Sequence, residues 1–162
     1  MNQYKLSDFY PLIGIVAVVI GLTLGRSFFS DNWTIRFLMR NFMAFFFLVF
    51  GSFKAMNLSG FAKAYQEYDL LAKQSIAYAY AYPFIELGLG FAYLFHVMPI
   101  PTNVITFFVM AIGALGVFNE LRKGKEITCA CLGVVFKIPM TYVTLGEDLL
   151  MAGMALAMLF TK

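Results

Sequence analysis

The only two cysteines of the chain stand one residue apart, in Cys129-Ala-Cys131-Leu-Gly133. Two thiolates that close can grip a soft ion such as Cu(I), Hg(II) or Zn(II), because soft ligands select soft metals. They can also close on each other. A bond across a single intervening residue is strained and easily reduced, which suits exchange better than stapling. Lys123, Lys125 and Lys137 flank the motif in sequence, and their positive potential favours thiolate. The plain alternative is that Cys129 and Cys131 are small buried thiols that happen to be neighbours, since free cysteine is commonly a core residue.

Four charges belong with this pair because they fall in otherwise apolar stretches: Lys54, Glu86, Glu147 and Asp148. Ionisable groups at membrane depth are costly and face the bundle interior. Glu86 is about ten residues into its stretch, which at 1.5 Å per residue places it roughly 15 Å deep. Lys54 ends its stretch, and Glu147 and Asp148 lie about 10 Å inside the same face by the same rise. Lys54, Glu147, Asp148, Cys129 and Cys131 can therefore cluster, with Glu86 deeper, near mid-membrane. These charges can tune the pair or pass protons; equally, Lys54 and one carboxylate can form an ion pair that only fixes packing. Arg36 and Arg40, four apart on one helix face, read as snorkelling or phosphate-facing residues. His96 is the single histidine and reads as interfacial, so a four-ligand zinc site lacks ligands. Met151, Met154 and Met158 form a stripe of the kind that is ordinarily core.

The elements that position these residues follow from composition. The chain has 162 residues, 61% hydrophobic and 13% charged, where soluble domains carry about a quarter charged residues. The excess is concentrated in stretches, which excludes disorder and an ordinary soluble enzyme. A net charge of +3, scattered along the chain, gives no footprint for a nucleic-acid partner. Crossing a bilayer takes roughly 20 mostly apolar residues as a helix. Tyr10–Phe29, Ile35–Ala55, Tyr78–Met98, Ile100–Phe118 and Ile138–Phe160 each meet that requirement. The fold class is all-α, a polytopic membrane bundle of five transmembrane helices. The first stretch follows Lys5 as a signal peptide would, but it is long for one and Leu-Gly-Arg-Ser-Phe-Phe is a poor cleavage site.

Four connections carry signals. Ser30–Thr34 is a short turn, and Met98-Pro-Ile-Pro-Thr-Asn103 reads as a tight proline-marked link. In 57–73, Leu58, Phe61, Ala62, Tyr65, Tyr68 and Leu71 recur at helical spacing, with Ser59 or Asn57 as cap. That segment is expected to lie at the membrane surface as a short amphipathic helix. The connection 119–137 holds the cysteines. With five helices, Lys5, Lys54, Lys63, Lys73, Arg122, Lys123, Lys125 and Lys137 share one side, against Arg26, Arg36, Arg40 and Lys162 on the other. The positive-inside bias then places Cys129 and Cys131 on the cytoplasmic side.

The stretch from Arg36 to Phe160 resembles the MauE/DoxX group of small bacterial redox-associated membrane proteins. The resemblance rests on Arg40 to Lys54, with its Arg, late Gly51 and terminal Lys; on Phe61-x3-Tyr65-x2-Tyr68; on Pro83-x-x-Glu86; and on Cys129-x-Cys131-x-Gly133 followed by Glu147-Asp148. It implies a four-helix core over 35–162, with 1–34 as an added helix and turn. It further implies a bacterial inner-membrane location and a role in disulfide or electron-transfer maturation of a partner protein. Related proteins with such cysteine pairs are linked to heavy-metal handling, which a cytoplasmic pair would suit; disulfide formation belongs on the other side. A purely structural assembly subunit, homo-oligomeric or not, is the third reading. Nothing in the residues calls for quinone or another organic cofactor.

Overall fold

The computed structural model describes residues 10–123 and 141–161, and these are helical with short connections. The elements are α1 (Tyr10–Ser30), α2 (Ile35–Met56), α3 (Leu58–Gln66), α4 (Ile76–Phe95), α5 (Pro99–Arg122) and α6 (Thr141–Phe160). Among the described residues, α1, α2, α5 and α6 from Tyr142 are long and apolar enough to cross a bilayer. The remaining expected span, α4, has 20 residues, about 30 Å of helix. Tyr78, Tyr80, Tyr82, Tyr93 and Glu86 dilute its apolar character, and it runs antiparallel to α2.

Each helix boundary has a local cause. Between α1 and α2, Asp31 adopts φ 47°, and the Asn32 side-chain oxygen accepts from the Thr34 amide at 3.1 Å and its hydroxyl at 2.7 Å. Asn57 caps α3 by accepting from the Gly60 amide at 3.2 Å, as the sequence suggested. Ser75 caps α4 toward Tyr78, and α4 ends on His96 in the left-handed region at φ 56°. The proline-marked link is shorter than expected. Pro99 and Pro101 both sit inside α5, where the first turn has no use for their missing amide hydrogens, so the connection is only His96–Met98.

The core forms where tight approaches let helices meet. A Cβ on Gly51 would lie 3.3 Å from the Pro83 carbonyl oxygen, and one on Gly90 only 2.8 Å from Leu48 Cγ. Those two glycines let α2 and α4 touch along their length, as small residues do in membrane bundles. Phe46 and Phe50 stack at 4.2 Å one turn apart on α2, and the Phe47 ring lies 6.1 Å from Tyr93 on α4. The Tyr93 hydroxyl reaches Asn103 Oδ1 at 2.8 Å and Thr106 Oγ1 at 3.1 Å, tying α4 to α5. α5 packs closely on α6, and Met151 and Met158 are buried as a core stripe should be.

The amphipathic segment is helical only to Gln66 and then turns. Its apolar side is buried within the bundle: Phe61, Ala62, Tyr65 and Tyr68 are covered, whereas Leu71 is exposed. Asp69 anchors the turns that follow. One of its oxygens accepts from the Leu71 and Ala72 amides at 2.9 and 2.8 Å, and the other accepts from the Tyr65 hydroxyl at 3.0 Å. Across from it, α5 passes so close that a Cβ on Gly116 would meet the Tyr68 carbonyl oxygen at 2.5 Å.

Candidate functional site

Lys54 lies in the last turn of α2, where the helix dipole favours a cation, yet it is only 8% exposed. Its ammonium meets Glu86 Oε1 at 2.5 Å. The rings of Tyr82 and Phe61 stand 5.1 and 5.7 Å from the same nitrogen, within cation–π range. Glu86 therefore joins Lys54, although its place along its own helix sets it near mid-membrane. α4 starts at Ile76, beside α3 and beyond the end of α2, so its middle is level with the last turn of α2. Glu86 shares its buried face with Ala79, Tyr82, Leu89 and Tyr93, at helical spacing.

Glu147 and Asp148 join this pair from the second turn of α6. Both are partly buried. Asp148 Oδ2 would lie 3.0 Å from a Cβ on Gly113, so the bare backbone of α5 gives the carboxyl its room. Thus Lys54, Glu86, Glu147 and Asp148, brought from three helices, border one small cavity. Phe50, Tyr65, Tyr68, Tyr82, Met110 and Thr144 complete most of its wall. Its volume is about 20 Å³, room for a single water molecule. Glu86 Oε2 is buried and meets no hydrogen-bond donor among the described residues.

The phenols on the α3 side are held neutral. Burial, then the neighbouring Tyr82 and Asp69, pushes the Tyr65 hydroxyl well above its ordinary range. Burial, then Asp148 and Asp69, does the same for Tyr68. At neutral pH Tyr65 therefore keeps its O–H on Asp69, and Tyr68 keeps its hydroxyl proton. Three carboxyl groups facing one ammonium across a one-water cavity make an arrangement that can hold and hand on a proton.

The sequence singled out all four charged members of the cluster and the structure brings them together. Cys129 and Cys131 lie outside the described residues. Sequence reasoning missed Tyr65, Tyr68 and Tyr82 as cavity walls, because spacing marks them only as an apolar face. It also missed the ion pairs of the buried Glu120 with Lys73 at 2.5 Å and Lys123 at 2.9 Å, where α5 ends. Arg36, Arg40 and His96 come together too, at the other end of the bundle, around a separate pocket.

Among the described residues, no group of three or more His, Cys, Asp or Glu side chains is placed to hold a metal ion. The match with known proteins is to one family model, methylamine utilisation protein MauE, over residues 32–161. No curated protein and no solved structure matches the chain. The matched region starts in the turn before α2 and takes in every residue of the Lys54–Glu86–Glu147–Asp148 cluster. Spanning most of the chain and agreeing with its multi-pass helical architecture, that match makes this chain a member of the MauE family.

Proposed function

We propose that this protein supports the maturation of a partner protein in methylamine utilisation by thiol–disulfide exchange through Cys129 and Cys131. The observation that carries the reading is the convergence of Lys54, Glu86, Glu147 and Asp148 on one cavity. The cavity lies in the half of the bundle where α5 ends and α6 begins, and the chain between those helices bears the cysteines.

In the exchange, a thiolate of the partner attacks the Cys129–Cys131 disulfide and forms a mixed disulfide. The partner's second thiolate then displaces the pair, leaving the partner oxidised and Cys129 and Cys131 as two thiols. Two protons leave the partner's thiols and two arrive on the pair, so protons and electrons balance. A second protein disulfide reoxidises the pair in the same way. Each exchange takes protons from one thiol pair and returns them to another, and the carboxyl cluster offers an acceptor in the half of the bundle where α6 begins. The charge distribution favours the cytoplasmic face of a bacterial inner membrane for the pair, whereas oxidation of a partner belongs on the periplasmic face. The side on which the cysteines label therefore decides between exchange and soft-metal binding. Residues 35–162 then form the working unit, with α1 as an added helix.

Thiol trapping in native membranes tests this reading. Cys129 and Cys131 are expected to shift between dithiol and disulfide with added reductant, and Cys129→Ser to accumulate a mixed disulfide through Cys131. Thiols that stay reduced under every oxidant refute it. One Cu(I) or Hg(II) bound per chain and lost in Cys129→Ser would favour the soft-metal reading instead. Labelling with an impermeant thiol reagent reports the side.

A further inference from the structure

At the end of the bundle away from Lys54, a pocket of about 260 Å³ opens between the α1–α2 turn, the first turns of α2 and the end of α4. Asn32, Thr34, Arg36, Phe37, Arg40 and His96 line it. We propose that this pocket binds a phosphate group, held by the guanidinium groups of Arg36 and Arg40.

The lining presents donors and no carboxylate. The Asn32 side-chain oxygen is occupied by Thr34, so its NH₂ remains to face a ligand. The Arg40 guanidinium lies 5.0 Å from the Phe37 ring centre, and its Nε is buried without an acceptor among the described residues. A buried N–H without an acceptor is costly, and an anion in the pocket would supply one. The charges acting on Arg40 are the like charges of Arg26 and Arg36. None of the three described ion pairs involves an arginine, and Asp31 takes part in none of them. Snorkelling alone would spread such side chains apart into water. Here they converge on a half-enclosed pocket.

Phosphate fits better than carboxylate because it carries more charge and meets two planar guanidinium forks at once. Partial burial and then Arg40 and Arg36 lower the His96 pKa from its ordinary value, which favours a ring that adds a hydrogen bond without adding repulsion near neutral pH. Such a phosphate group can come from a lipid headgroup at the bilayer surface or from a free phosphate in solution.

Trp33, the only tryptophan of the chain, is exposed between lining residues Asn32 and Thr34 and reports on the pocket. The full chain is titrated with inorganic phosphate in a neutral detergent, against chloride at equal ionic strength. In parallel it is placed in nanodiscs of neutral lipid with rising phosphatidylglycerol. A saturable Trp33 fluorescence change in the first arm supports the site and assigns free phosphate. A change confined to the second arm supports it and assigns the headgroup. In whichever arm responds, Arg36→Gln and Arg40→Gln are expected to weaken binding about tenfold or more. Lys63→Gln, at the opposite end, is expected to leave it unchanged. Thermal melts check that each variant folds, and Arg40→Lys replaces Arg40→Gln if it does not. No saturable change in either arm of the wild-type protein overturns the proposal, as does wild-type affinity in Arg36→Gln.

Discussion

Removing Lys54 is the sharpest test of how the charged cluster is held. Its ammonium is 2.5 Å from Glu86 Oε1, with side-chain exposures of 10% and 3%. At that burial, screening by solvent is weak. Taking away one member of a buried pair typically costs about 3–5 kcal/mol, because the other is left uncompensated. Lys54→Met leaves three carboxyl groups without a cation and belongs at the full cost. Glu86→Leu leaves Lys54 between the rings of Tyr82 and Phe61, with Glu147 and Asp148 still on the same cavity. Its cost is therefore smaller, about 1–3 kcal/mol. The double variant replaces the pair by apolar side chains of similar volume and returns to within about 1 kcal/mol of wild type. At about 2–4 °C per kcal/mol, thermal unfolding in detergent should fall by roughly 10 °C for Lys54→Met and largely recover in the double variant. The coupling from this cycle is expected at about 3–8 kcal/mol. Strictly additive losses would refute the pair as the organising contact of the cluster.

Other expectations follow from close approaches and buried phenols. Gly116→Ala drives a Cβ onto the backbone of Tyr68 and Asp69 and should cost about 1–3 kcal/mol or more in the same melt. Gly113→Ala meets only the movable Asp148 carboxyl, so it should destabilise less while disturbing the cavity; Gly14→Ala, with open space around it, should be near neutral. Tyr65 and Tyr68 hold their protons more tightly folded than unfolded. The stability they contribute is therefore complete below about pH 10 and lost as pH rises beyond it. Absorbance titration of phenolate should show both silent until unfolding, and Tyr65→Phe should leave one fewer silent phenol. Early ionisation of both in folded protein would contradict their burial.

Much of the architecture was legible in the residues because the bilayer imposes simple demands. Five apolar stretches and an Asn57-capped amphipathic piece translate directly into helices. Two of the places where the reading slipped have specific causes. Prolines at 99 and 101 signal a turn as readily as the first turn of a helix, and local pattern does not separate the two. Glu86 stood outside the expected Lys54–Glu147–Asp148 group because depth was counted along its own helix, as though α2 and α4 began and ended at the same level.

The sequence by itself determined that this is a helical membrane protein. It also determined which side chains are too polar for lipid and so must turn inward: Lys54, Glu86, Glu147 and Asp148. Desolvation makes that choice one residue at a time, without reference to any neighbour. Only the tertiary structure decided which of the three carboxyl groups Lys54 meets. Lys54 and Glu86 are 32 residues apart, and their meeting depends on how far α4 slides past α2. That register is set by Gly51 under the Pro83 carbonyl and Gly90 under Leu48, contacts whose specificity lies in shape. Periodicity gives the face a residue occupies, and packing decides what that face touches.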